Sequence, residues 1–129
     1  MAVQLNHTIV HATDKQASAA FLSEILGLSE PVAFGPFLGV ETANGVTLDF
    51  IETDEDFDTQ HYAFLVAEEE FDEIFGRIRE RGLEYWADPG RTEPGRINTH
   101  WGGRGVYWAD PDGHYLEIIT RPYGNVDEM

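Results

Sequence analysis

Two histidines and two carboxylates, set at matching places in apolar strand patterns, are the residues most able to do chemistry. His7 lies in the β-branched run of residues 5–10, and His61 in a similar run over residues 60–67. Asp49 is embedded in residues 46–51, and Glu117 sits among Leu116, Ile118 and Ile119. A carboxylate buried in such a strand is costly unless a metal, a basic partner or water compensates its charge. Imidazole is the commonest neutral metal ligand, and two imidazoles with one carboxylate form a facial triad that leaves coordination positions open. His7, His61 and Glu117 make up such a set. Asp49 is the counterpart of Glu117 but one methylene shorter. Direct ligation, ligation through water, a hydrogen bond to a ligand and a solvent-facing role all stay open for it. A single strand histidine is more often a hydrogen-bonded core residue; it is the repetition that favours a metal.

The elements that must position these residues follow from the apolar periods. After the His7 strand, Thr13 or Asp14 offers a helix N-cap, and Ala17, Ala20, Phe21, Ile25 and Leu28 continue a helical pattern that Gly27 stops. Extended segments follow at residues 32–34 and 37–40. Asn44-Gly45 signals a hairpin with two positive φ values, and residues 46–51 return as a strand. The acidic stretch 53–58 has no apolar period and reads as a linker. The order then repeats. The His61 strand leads to a helix over 68–81, with Phe71, Ile74, Phe75 and Ile78 on one face. Its acids lie at the start and Arg77, Arg79 and Arg81 at the end, as the helix dipole favours, and Gly82 closes it. A strand is expected at 83–87, then a long loop to Gly103. The chain finishes as a hairpin turned by Asp110-Pro111-Asp112-Gly113. Strand, helix and three strands thus occur twice, in modules of about residues 1–55 and 56–123 within a single domain, 1–129. His7 matches His61, Gly27 matches Gly82, and Asp49 matches Glu117. Repeats of this size imply two similar modules whose sheets share a cleft.

Composition narrows the partners. The 129 residues suffice for one real core, and 42% apolar with 12% aromatic residues is too rich for disorder. There is no cysteine, which excludes disulfides and thiol catalysis. A net charge of −16 argues against nucleic acid and anionic membranes, both polyanionic, and suits a cationic ligand. No N-terminal apolar run resembles a signal peptide and no segment could span a bilayer, so a cytoplasmic location is expected.

The paired modules, the His7 and His61 strands and the ending Gly105-Val-Tyr-Trp-Ala-Asp-Pro-Asp-Gly-His-Tyr-Leu-Glu117 resemble the vicinal oxygen chelate superfamily. That superfamily includes glyoxalase I, extradiol dioxygenases, fosfomycin-resistance enzymes and bleomycin-resistance binding proteins. The resemblance spans essentially the whole chain and is specific for the fold, not for the reaction. It implies an α+β fold in which tandem βαβββ modules form a curved mixed-sheet cup. It also implies a divalent metal (Fe, Mn, Zn or Ni), held where His7, His61 and Glu117 stand. Asp49 falls where glyoxalase I places a fourth ligand, usually Glu or Gln. Members often pair modules across symmetric dimers, so a homodimer is expected.

Further candidates surround this set. His100 and Trp101 lie in the long loop, and a loop of this length without a period suits a functional lid that touches substrate. Tyr107 and Arg104 precede the turn, and either reaches the cleft or faces water. Tyr123 follows the last strand, where a phenol near a metal could serve as acid or hydrogen-bond donor. His114 is expected at an exposed hairpin tip, and His11 just past the first strand with no evident partner. The leading function is a metal-dependent enzyme of glyoxalase or dioxygenase type, acting on a small oxygenated substrate that chelates the ion. Three protein ligands favour a dioxygenase-like site; a fourth from Asp49 favours glyoxalase or isomerase chemistry. The alternative is a metal-free protein that sequesters an antibiotic, supported by the −16 charge and the aromatic supply.

Overall fold

A computed structural model describes residues 3–123. The chain divides into two compact units, Met1–Asp58 and Thr59–Met129. The first contains β1 (His7–Ala12), α1 (Lys15–Leu26), β2 (Val32–Phe34), β3 (Phe37–Glu41) and β4 (Thr47–Glu52). Its sheet has the order β1-β4-β3-β2, with β1 parallel to β4 and the other pairs antiparallel. The second contains β5 (His61–Leu65), α2 (Glu68–Glu80), β6 (Gly105–Ala109) and β7 (Tyr115–Ile119). Its sheet has the order β5-β7-β6, with β5 parallel to β7. Both sheets are mixed, and the class is α+β.

Strand alternation decides which residues are available for chemistry. In the first unit Val10, Ala12, Val40, Leu48 and Phe50 are buried, together with Ala19, Leu22 and Ile25 of α1. The intervening residues His7, Ile9 and His11 are exposed. In the second, Val106, Trp108, Leu116 and Ile118 are buried, as are Phe71, Ile74 and Ile78 of α2. Apolar burial on one face therefore holds the polar set of each strand on the other. A one-residue slip would bury the histidines and expose the core, which pins the register.

Both helices form for local reasons. The Asp14 side chain accepts from the Ala17 N–H (3.1 Å), and Gly27 ends α1 at φ 71°. At α2 the N-cap is Ala67, and the Glu70 carboxylate compensates by accepting from the Ala67 N–H at 2.8 Å. Arg104 ties α2 to the start of β6: it donates to Glu68 and Asp72, at 2.8 Å each, with its guanidinium over the Phe71 ring.

Four local expectations are corrected. No strand forms over residues 83–87; only Trp86 bridges, to Tyr107 and Pro94. Asp88-Pro89-Gly90 turns the chain away at once, and proline has no N–H to extend a ladder. The hairpin before β4 has one positive φ, at Gly45 (82°); Gly45 donates to the Thr42 carbonyl and Thr42 to that of Val46. His114 is 1% exposed, not at a hairpin tip, and its Nδ1 accepts from the Gln60 N–H at 2.9 Å. His11 lies inside β1 and stacks on Phe57 with ring centroids 5.8 Å apart.

Candidate functional site

The ladder registers place the candidate residues on equivalent rungs of the two units. In the first, Ile9 faces Asp49 and Asp49 faces Gly39. In the second, Ala63 faces Glu117 and Glu117 faces Tyr107. Each carboxylate therefore stands on the rung two residues beyond its unit's histidine, His7 or His61. The repeat inferred from spacing is a repeat of backbone position. The rungs differ at their third member, where Gly39 of the first corresponds to Tyr107 of the second.

Gly39 leaves little room for a side chain beside Asp49. A Cβ there would lie 3.0 Å from Asp49 Oδ1 and 3.0 Å from Thr47 Cγ2. Asp49 is buried, at 9% exposure, and makes no hydrogen bond or ion pair among the described residues. His7 is exposed and its Nδ1 lies 2.7 Å from Asn6 Oδ1.

In the second unit the polar groups converge on Glu117, which is 1% exposed. One carboxylate oxygen, Oε1, is 2.9 Å from His61 Nε2. The other, Oε2, accepts from the Tyr123 hydroxyl, which lies 3.3 Å from that of Tyr107. The Tyr107 ring meets the His61 ring edge-on, at 5.8 Å between centroids. Burial, and then the hydrogen bond to Glu117, push the Tyr123 phenol far above its ordinary range; burial does the same, less strongly, to Tyr107. Both hydroxyls are therefore donors at neutral pH, aimed toward a buried anion.

Of the residues singled out in the sequence, the structure brings His61, Glu117, Tyr107 and Tyr123 into one network. His7 and Asp49 occupy the matching rungs of the first unit. Among the described residues no three His, Asp or Glu side chains are gathered as a metal site. His100 is not part of the network: it is exposed in the 3-10 turn His100–Gly102, and its backbone N–H bonds Asn98 Oδ1. Its neighbour Trp101 lies against Tyr123, with ring centroids 6.4 Å apart. Arg104 is committed to α2 and takes no part.

Three residues of this face were not expected: Trp86, Arg91 and Tyr115. Trp86 shares the Glu117 rung through its bridge to Tyr107. Tyr115 precedes Glu117 by two residues and so shares its face, which alternation could have shown. Nothing in the sequence marks Trp86 or Arg91, because isolated bridges and an irregular loop carry no period.

Comparison with known proteins agrees with this architecture. Residues 4–118 match the family model described as Glyoxalase/Bleomycin resistance protein/Dioxygenase superfamily. The chain is similar to the glutathione transferase FosA of Serratia marcescens, at 32% identity over 92% of this chain and 81% of that protein. It is also similar to the metallothiol transferase FosB of Lysinibacillus sphaericus, at 28% identity over 93% and 84%. Among solved structures it resembles the oxidase ChaP-H1, with a TM-score of 0.94 and 67% identity over 95% of this chain and 99% of that one. The chain belongs to the glyoxalase/bleomycin resistance protein/dioxygenase superfamily.

Proposed function

We propose that the protein is a metal-dependent enzyme that oxidises a small oxygenated molecule, chelated to a divalent ion through neighbouring oxygens. The observation that carries this reading is the His61–Glu117 pair. Its donor atoms are 2.9 Å apart. The spacing is that of a hydrogen bond, and it also matches two donors at right angles about 2.0–2.2 Å from one ion, which lie roughly 3 Å apart, so the pair is compatible with a shared cation. Asp49, a buried carboxylate without a partner among the described residues, is a second anion in want of a cation. His7, His61 and Glu117 would hold the ion, with Asp49 as the fourth candidate; nitrogen and carboxylate donors suit Fe, Mn, Zn or Ni. The name oxidase, borne by a relative 67% identical, favours oxidation over isomerisation.

A bound ion supplies Lewis acidity and open coordination positions to a chelated oxygen pair. The protein's residues do the rest. The Tyr123 hydroxyl orients the Glu117 carboxylate by donating to Oε2, and Tyr107 supports Tyr123 in turn. Trp101 and Tyr123 offer ring surface beside the carboxylate, where a flat substrate displaces water.

Metal analysis of untagged protein, followed by oxygen uptake with catechol-type substrates, tests the reading. Stoichiometric metal and uptake that is lost in Glu117→Gln are expected. A parent that binds no divalent ion at micromolar concentration overturns it. A second reading, metal-free capture of a cationic drug, draws on the −16 charge and the aromatic face. It predicts ligand affinity that survives exhaustive chelation. We expect a homodimer and a cytoplasmic location; sedimentation and cell fractionation check each. No helix among the described residues is long and apolar enough to cross a membrane.

A further inference from the structure

The loop after Trp86 carries a charged group that the proposed chemistry does not use. The Arg91 guanidinium carbon lies 4.8 Å from the centroid of the Trp86 ring and 4.5 Å from that of Tyr115. Among the described residues no carboxylate or carbonyl accepts from this guanidinium. Arg79, Arg96 and Arg121 likewise have no carboxylate or carbonyl partner among the described residues; what sets the exposed Arg91 apart is the pair of rings beside it. Arg104 differs, with Glu68 and Asp72 both engaged.

Arg91 also has a φ of 60°, a left-handed conformation that residues with a Cβ seldom adopt. Glycine at this position would remove the strain, and with it the side chain. Asp88 holds the loop in place: its carboxylate accepts from the N–H groups of Thr92 (3.0 Å) and Glu93 (2.9 Å) and from the Thr92 hydroxyl (2.6 Å). The result is a cation held over two rings, with no acceptor bonded to its N–H groups among the described residues. A guanidinium held in this way is preorganised for an oxyanion.

Its position relative to Glu117 follows from the sheet. Trp86 lies on the Glu117 rung two positions away, and Tyr115 is two residues before Glu117 on β7. At about 4.8 Å between strands and about 3.4 Å per residue, these backbone positions are roughly 7–10 Å from that of Glu117. We infer that Arg91 binds an acidic group, a carboxylate or phenolate, at the end of a planar aromatic substrate remote from its chelating oxygens. This rests on the reading that the other end is chelated beside Glu117, and it adds the substrate class: an aromatic acid. The net charge strengthens the point. A chain at −16 repels an anion at a distance, so a local cation decides whether one binds.

The test uses a naphthoic acid with two adjacent hydroxyls on the far ring, and its neutral carboxamide. Calorimetric affinities are measured for the full chain, with and without added divalent metal. Charge-assisted hydrogen bonds predict that the parent prefers the acid by about ten-fold or more. Arg91→Gln and Arg91→Gly should each abolish the preference while leaving carboxamide affinity unchanged. Because Arg91→Gly relieves the positive φ, it should melt no lower than the parent, so misfolding cannot account for its loss. Equal binding of acid and carboxamide by the parent, or a preference that survives in both variants, overturns the inference. Metal binding is read separately. A parent that binds no metal but loses acid preference in the variants sinks the enzyme reading and leaves the Arg91 subsite standing.

Discussion

Replacing Glu117 with glutamine separates what this side chain does for the fold from what it does for a cation. Without metal, the glutamine oxygen still accepts from Tyr123, and its amide donates to His61 Nε2, 2.9 Å from the present oxygen. The variant loses charge-assisted bonds worth about 1.5–3 kcal/mol each. It also escapes the desolvation penalty of a carboxylate that is 1% exposed, which is on the order of several kcal/mol. The two effects oppose each other, so metal-free stability should change by no more than about 1 kcal/mol. With metal the balance differs. At one hundred times its Kd, an ion stabilises the parent by about 2.7 kcal/mol. For a chain of this length that raises Tm by roughly 10 °C. The variant should show almost none of that increment. Melting curves for parent and variant, with chelator and with each of Fe, Mn, Zn and Ni, give four numbers per metal. Equal increments in the two proteins would refute the assignment of Glu117 as a ligand. A metal-free variant that melts far below the parent would refute the claim that its charge serves a cation and not the fold.

Other perturbations probe the surrounding structure. Tyr123→Phe removes the donor to Glu117 Oε2 and should weaken metal affinity about 10–100-fold, as loss of an outer partner does, with stability little changed because Tyr123 is 44% exposed; competitive chelator titration measures it. Gly39→Ala should destabilise by about 1–3 kcal/mol in denaturant titration, since its Cβ would lie 3.0 Å from Asp49 Oδ1 and from Thr47 Cγ2. Phe71→Ala, at a fully buried position on α2, should cost about 3–5 kcal/mol by the same assay. The Tyr62, Tyr107 and Tyr123 phenols are all raised, mainly by burial, so the folded chain holds their protons longer than the unfolded chain does. That stability is fully present below the ordinary phenol range, about pH 10, and should be lost as pH rises beyond it, with phenolate absorbance following unfolding.

What could be read from the sequence depended on period. The histidine and carboxylate strands, the helix at Phe71-Ile74-Ile78 and the caps at Asp14 and Gly27 carry patterns set by local geometry, and the structure reproduces them. Residues 83–87 misled because their aromatic side chains pack without a paired strand, Tyr85 edge-on to Phe75 and Trp86 at two isolated bridges. His114 misled because a turn position suggests solvent, whereas the Gln60 N–H offers its ring a buried partner. At the site, Glu117 stood out because its charge interrupts an apolar run, while Tyr115 was hidden by looking ordinary in a strand. Arg91 was out of reach altogether: its role comes from two rings that tertiary structure brings together.

The matched rungs of the two units have a bearing on how such a protein changes over time. Folding selects the buried face of each strand, where Val10, Leu48, Leu116 and Ile118 sit, and the donor face is carried along by alternation. The group at a rung therefore answers to its neighbours on the donor face and not to the buried apolar set. Gly39 against Tyr107, and Asp49 against Glu117, are two such differences between matched rungs of a single chain. An arrangement in which the scaffold and the reactive groups answer to different selective pressures lets a duplicated module keep its shape while its two copies acquire separate duties.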